Sequence, residues 1–295
     1  MRARYPDAKG FVESDGRKIG YEIFGDAAVT LLLLPTWTII HSRFWKLQVP
    51  YLARHFRVVT YDGPGNGRSD RSVEPESYSM QAQSSYAIDI MDATKTERAV
   101  VVSLSMGSIW SLSVAADHPD RVLGQVFIGP SLPITPPTAA RAESAEAFWL
   151  EQDNPQGWDK YNANYWMKDY EDFAEFFFTM CFPEPHSTKQ REDCVGWALE
   201  TTPEVLVAKA SADAVNHETV LDLCRRVTSP VLVIHGDDDR ISPLSRARRL
   251  AEATQGSLVI VEGGGHIPLA RDPVVVNRLI KDFADRIAHR QDVSR

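Results

Sequence analysis

Cysteine is scarce: Cys181, Cys194 and Cys224 are the only three in 295 residues, and no two have C-x-x-C spacing. Three thiols cannot close a set of disulfides, so a disulfide scaffold and a zinc ribbon are excluded; reduced thiols and no metal site are expected. Long apolar runs are also missing. No stretch approaches the roughly 18 consecutive apolar residues that a membrane-spanning helix needs. The opening Met-Arg-Ala-Arg-Tyr-Pro-Asp leads into no apolar signal core, so a cytoplasmic location is expected. Basic residues are in the minority, 32 Lys+Arg against 40 Asp+Glu for a net charge of −8, and no basic cluster is longer than Arg246-Ala-Arg-Arg249. Nucleic acid and anionic membrane surfaces are therefore not expected as partners. Repeats and low-complexity segments are absent. A small-molecule substrate is the expected partner, with a homodimer left open.

What is present is ample material for a core. At 43% hydrophobic residues, the chain reads as one large α/β domain or a core carrying an insertion. Phe11–Ser14 and Lys18–Phe24 flank Asp15-Gly16, a two-residue turn signal, and predict an antiparallel hairpin. Thr30–Leu34 is apolar in every residue after the first, as a strand buried on both faces should be. The loop Pro35–Ser42 follows, then a helix through Trp45, Leu47, Val49 and Leu52, a strand Phe56–Tyr61 and the glycine-rich loop Asp62–Asp70. A helix is expected over Met80–Thr94 and strands over Ala99–Leu104 and Val122–Ile128. From Pro130 to Ser229 the alternation of strand and helix stops, and prolines punctuate helical stretches. It resumes with a strand Val231–His235, a helix Ser242–Ala253, a strand Leu258–Val261 and a last helix from Val274 to about Ile287. A parallel sheet interrupted once, with a core over 1–131, an insertion over 132–229 and a second core part over 230–295, is the expected organisation.

The strand Ala99–Leu104 runs almost directly into a helix-forming segment, and Ser105 occupies the turn, flanked by Ser103 and Gly107. This is G-x-S-x-G with Ser for the first Gly, a sharp strand-to-helix elbow that lifts a serine hydroxyl above the sheet edge. The pattern alone arises by chance; its strand-then-helix context carries the argument. A serine hydroxyl needs a base, and the base needs an acid to fix its tautomer. Both types follow the last two strands, in Gly236-Asp-Asp-Asp239 and Glu262-Gly-Gly-Gly-His266. In a parallel sheet both loops leave the same carboxyl-terminal edge as Ser105.

With Asp62–Asp70, Ser103–Gly107, Val231–Asp239 and Gly263–His266 together, the chain resembles the α/β-hydrolase superfamily from about Phe11 to Ile287. The resemblance implies a mostly parallel eight-stranded sheet with flanking helices and a helical cap inserted over 132–229. It implies Ser105 as nucleophile, His266 as general base and Asp239, fourth in G-x-x-D, as the acid. It assigns the oxyanion hole to the backbone N–H groups of Met106 and Trp37. The chain departs from the family in having Pro35-Thr36 where His-Gly is common. No cofactor is implied. His235, His118 and His289 read as structural or surface residues, and Asp237 and Asp238 as turn or solvent-facing ones. His41, in the loop after the third strand, is a candidate for touching substrate, as is Thr36.

Of the chain's 7 Trp, 9 Tyr and 12 Phe, twelve fall between Phe148 and Phe182, inside the expected cap. Some must form the cap's own core. The surplus predicts an aromatic-walled pocket, with Trp149, Trp166 and Phe177 as its candidates. The expected activity is a serine hydrolase cleaving a carboxylic ester or lactone of a moderately apolar small molecule. Carbon–carbon bond hydrolases, thioesterases and acyltransferases share the triad within this family, and cofactor-independent dioxygenases share the fold. A slow-turnover ligand receptor is the alternative of a different class. Serine rather than aspartate at 105 argues against haloalkane dehalogenase and epoxide hydrolase relatives.

Overall fold

Eight strands form one sheet in the computed structural model, which describes residues 4–136 and 139–293. They are β1 (Ala8–Ser14), β2 (Arg17–Phe24), β3 (Thr30–Leu33), β4 (Arg57–Tyr61), β5 (Ala99–Leu104), β6 (Val122–Ile128), β7 (Val231–Gly236) and β8 (Ser257–Val261), in the order β1-β2-β4-β3-β5-β6-β7-β8. Only β2 runs against its neighbours. The remaining pairings are parallel, so β3, β5, β6, β7 and β8 all end at one edge. The β1–β2 hairpin closes where the sequence predicts, with Asp15 and Gly16 both at positive φ as the tight turn requires.

The central strands are buried on both faces, and their alternate side chains feed two layers. Leu31, Leu33, Val100 and Val102 pack with Val276, Ile280 and Phe283 of the last helix, whereas Leu32, Leu34 and Val101 pack with Tyr86, Ile90, Trp110 and Val114 on the other face. The helices that cover the core are α1 (Val49–Leu52), α2 (Met80–Ala93) and α3 (Gly107–Asp117) before the insertion. The insertion contributes α4 (Ala139–Glu146), α5 (Ala163–Lys168), α6 (Tyr170–Cys181), α7 (Thr188–Ala198), α8 (Pro203–Ser211) and α9 (His217–Arg226). The core then closes with α10 (Leu244–Ala253), α11 (Pro268–Arg271) and α12 (Pro273–Val293). No strand interrupts the described part of the insertion, and no described helix is long and apolar enough to cross a membrane.

Two elements differ from expectation. The single helix expected through Trp45 and Leu52 is a 3₁₀ turn over Ser42–Leu47 followed by the short α1. Pro50 is the reason: a continuous helix would need its missing N–H, whereas near a helix start that N–H has no intrahelical partner to lose. The final helix also continues beyond Ile287 to Val293. The three cysteines are buried, and among the described residues none is joined in a disulfide.

Candidate active site

Ser105 follows directly on β5 with φ +52°, a left-handed conformation that costs a non-glycine residue on the order of 1–3 kcal/mol. The surroundings hold it there: its N–H donates to Ile128 O at 2.9 Å and its C=O accepts from Ser131 N at 3.1 Å, tying the elbow to the end of β6. Gly107, two residues on, has no room for a side chain. A Cβ there would stand 2.5 Å from Pro35 O, so the loop after β3 lies against the start of α3. Ser103 fits in place of the family glycine, fully buried with Oγ 3.4 Å from Val126 O.

The loops after β7 and β8 meet backbone to backbone. A Cβ on Gly236 would fall 2.1 Å from Gly264 O, so only glycine permits that approach. The contact brings the two sequence-predicted partners to Ser105: His266 Nε2 lies 2.8 Å from Ser105 Oγ, and His266 Nδ1 lies 2.8 Å from Asp239 Oδ2. Asp239 Oδ1 accepts from the N–H groups of Ile241 and Ser242 at 2.8 and 2.9 Å, which fixes the carboxylate's direction. Burial pushes the Asp239 carboxyl up, but the neighbouring His266 and His235 and the donated N–H groups outweigh it and hold the group below the usual carboxylate value. Asp239 is therefore ionised at neutral pH and accepts the His266 Nδ1 proton, leaving Nε2 free to accept from Ser105. Asp237 and Asp238 are engaged elsewhere, the first accepting from Gly263 N at 2.7 Å and the second pairing with Arg240 at 3.2 Å.

Met106 and Trp37 stand on the two backbone segments that meet at Gly107. Among the described residues, neither of their N–H groups has a hydrogen-bond acceptor in the protein. The Trp37 ring is gripped by the insertion, with centroids 5.1 Å from Phe177, 5.8 Å from both Tyr161 and Trp166, and 6.2 Å from Phe173. Phe177 thus faces the loop that carries Trp37. Trp166 is fully buried and its ring packs on Phe148, Tyr161 and Phe173, so it serves the cluster's own core.

Three expectations need correction. Trp149 does not line a pocket: it is 54% exposed, its ring resting edge-on against Phe148, because it follows the last buried residue before a polar loop. His41 is buried with both ring nitrogens engaged. Nδ1 accepts from Arg43 N at 3.3 Å and Nε2 lies 3.2 Å from Glu200 of the insertion, so it joins core to insertion rather than facing Ser105. Thr36 is buried in the crevice behind the loop with Asn66, Gln83 and Trp110. Sequence reasoning also missed what pins the His266 loop from above: His266 N donates to Cys181 O at 3.0 Å and Gly265 N to Glu184 Oε1 at 2.6 Å. No local pattern marks either residue, since both act across more than eighty positions of chain.

The family model described as alpha/beta hydrolase fold matches residues 29–273. A Variovorax paradoxus protein provisionally named carbamate hydrolase RutD is 26% identical over 91% of this chain and 96% of its own length. Among solved structures, an enol-lactonase from Burkholderia xenovorans LB400 superposes with a TM-score of 0.74 at 21% identity, covering 93% of this chain and 99% of that one. The esterase RhEst1 from Rhodococcus sp. ECU1013 superposes with a TM-score of 0.76 at 21% identity, covering 94% and 98%.

Proposed function

The chain belongs to the alpha/beta hydrolase family, and on that premise we propose that it is a serine hydrolase cleaving a carboxylic ester or lactone of a moderately apolar small molecule. The observation that carries this reading is the unbroken line from Ser105 Oγ through His266 to Asp239, with both hydrogen bonds at 2.8 Å. Ser105 Oγ attacks the substrate carbonyl as His266 Nε2 takes the hydroxyl proton, and the carbonyl π electrons move onto oxygen. Asp239 stabilises the imidazolium that results. The N–H groups of Met106 and Trp37, without an acceptor among the described residues, stabilise the oxyanion. Collapse of this intermediate expels the alcohol, which takes the proton back from His266. Water then repeats the sequence on the acyl-enzyme and frees Ser105.

The helical insertion acts as the cap, and its rings around Phe177 and Trp37 give the pocket an apolar wall. Burial on such a wall gains about 0.8 kcal/mol per methylene, a roughly fourfold rise in kcat/KM for each carbon until the pocket is full. The test is kcat/KM along p-nitrophenyl esters from acetate to dodecanoate, beside aryl esters and lactones. Rising selectivity to a size limit supports the reading; a monotonic preference for acetate, or one burst without steady turnover, contradicts it. Carbamates join the panel because the Variovorax relative's name points to that carbonyl, and the same attack on it would expel an alcohol and leave a carbamoyl-enzyme.

A further inference from the structure

His235, the next-to-last residue of β7, has no exposed surface and stands four residues before Asp239. Its Nε2 lies 3.0 Å from Ser242 O, a carbonyl that can only accept, so Nε2 carries the proton. The same nitrogen stands 3.4 Å from Asp239 Oδ2, the oxygen that accepts from His266. Its Nδ1 is buried with no hydrogen-bond partner among the described residues. A second proton there would find no acceptor among the described residues, which favours the neutral tautomer with its proton on Nε2. The charged and titratable groups that face it are Asp239 on the loop after β7, His266 on the loop after β8 and Arg246 on α10. Burial, with His266 and Arg246 adding to it, holds the ring below the ordinary histidine value against the pull of Asp239.

We propose that His235 is a positioning residue for the Asp239–His266 pair, a neutral imidazole whose Nε2–H anchors the Asp239 turn at Ser242 O and presents its positive end to Asp239 Oδ2. The inference rests on the triad reading above. Two consequences follow from the geometry. The Asp239 turn is held at both ends, by its own Oδ1 on the Ile241 and Ser242 N–H groups and by His235 on the Ser242 carbonyl. The Nε2–H dipole also moderates the field that Asp239 exerts on His266, which keeps the imidazolium from being overstabilised.

Imidazole ¹⁵N resonances of the resting protein test this without any turnover. In the wild type, His235 keeps the neutral Nε2–H tautomer from about pH 5 to about pH 8, the span across which an ordinary histidine changes charge. His235→Phe keeps the ring volume and removes the donor, and the His266 titration midpoint then rises by roughly half a pH unit. His235→Gln places an amide N–H where Nε2 was and leaves the midpoint unmoved. The acid limb of kcat/KM for p-nitrophenyl acetate moves with the midpoint. A residue that only fills space would lower stability in His235→Phe and move neither readout. Titration of His235 within that span, an unmoved or lowered His266 midpoint in His235→Phe, or a displaced one in His235→Gln overturns the proposal. If His235→Phe does not fold, the wild-type tautomer and the His235→Gln midpoint decide it. Absence of wild-type turnover beside the expected midpoints would instead count against the hydrolase reading.

Discussion

The indole of Trp37 meets the ring of Phe177 edge to face at a centroid separation of 5.1 Å, joining the loop after β3 to helix α6 of the insertion. The backbone N–H proposed to hold the oxyanion is thus positioned by a side chain embedded among the rings of the insertion.

Trp37→Ala removes a buried ring that touches four others, and should destabilise the protein by about 3–5 kcal/mol. The freed loop should also lower kcat, by no more than the roughly 10²–10³ that loss of one oxyanion donor costs. Urea midpoints and steady-state kinetics on the same preparation measure both. An undiminished midpoint would mean that the rings do not pack as described.

Asp239→Asn should lower kcat by on the order of 10⁴, because the amide cannot hold His266 in the tautomer that leaves Nε2 free to accept. Asp237→Asn and Asp238→Asn should cost far less, since those carboxylates bond to Gly263 N and Arg240 instead. A larger loss at either position would reassign the acid.

Stability should fall as pH drops below about 6.5, where unfolded histidines take up protons. His41 and His235 are both held below the ordinary histidine value, chiefly by burial. The unfolded chain then binds more protons than the folded one, and each residue removes up to about 1.4 kcal/mol per pH unit until its own folded-state value is reached. Asp239, held low, adds a further loss only below about pH 4. Urea midpoints between about pH 8 and pH 5 check the slope. His235→Gln should flatten it, and a level wild-type profile would contradict the burial of neutral imidazoles.

The parts of this architecture legible in the sequence are those written by local rules. The apolar runs Leu31–Leu33 in β3, Ala99–Val102 in β5 and Val231–Ile234 in β7 mark strands buried on both faces, Asp15-Gly16 marks the hairpin turn, and Ser105 stands where strand passes into helix. The order of Ser105, the aspartate run and His266 along the chain leads to a constellation that the folded loops bring within hydrogen-bond reach. Contacts set by tertiary packing were not legible. Whether Trp149 faces in or out depends on how the turn after α4 folds around Phe148, and Trp166 and Trp149 look alike in the sequence though one is fully buried and the other 54% exposed. His235 reads as a strand-end core residue because its neighbourhood with Asp239 depends on how the Gly236–Asp239 turn folds back.

The central claim is that Ser105 is the nucleophile, and mass spectrometry of the protein treated with a fluorophosphonate tests it most directly. The account predicts one phosphonyl adduct, on the peptide containing Ser105, absent from folded Ser105→Ala protein whose kcat is lower by on the order of 10⁶. An adduct on a different residue, or Ser105→Ala protein that keeps its turnover, would contradict it.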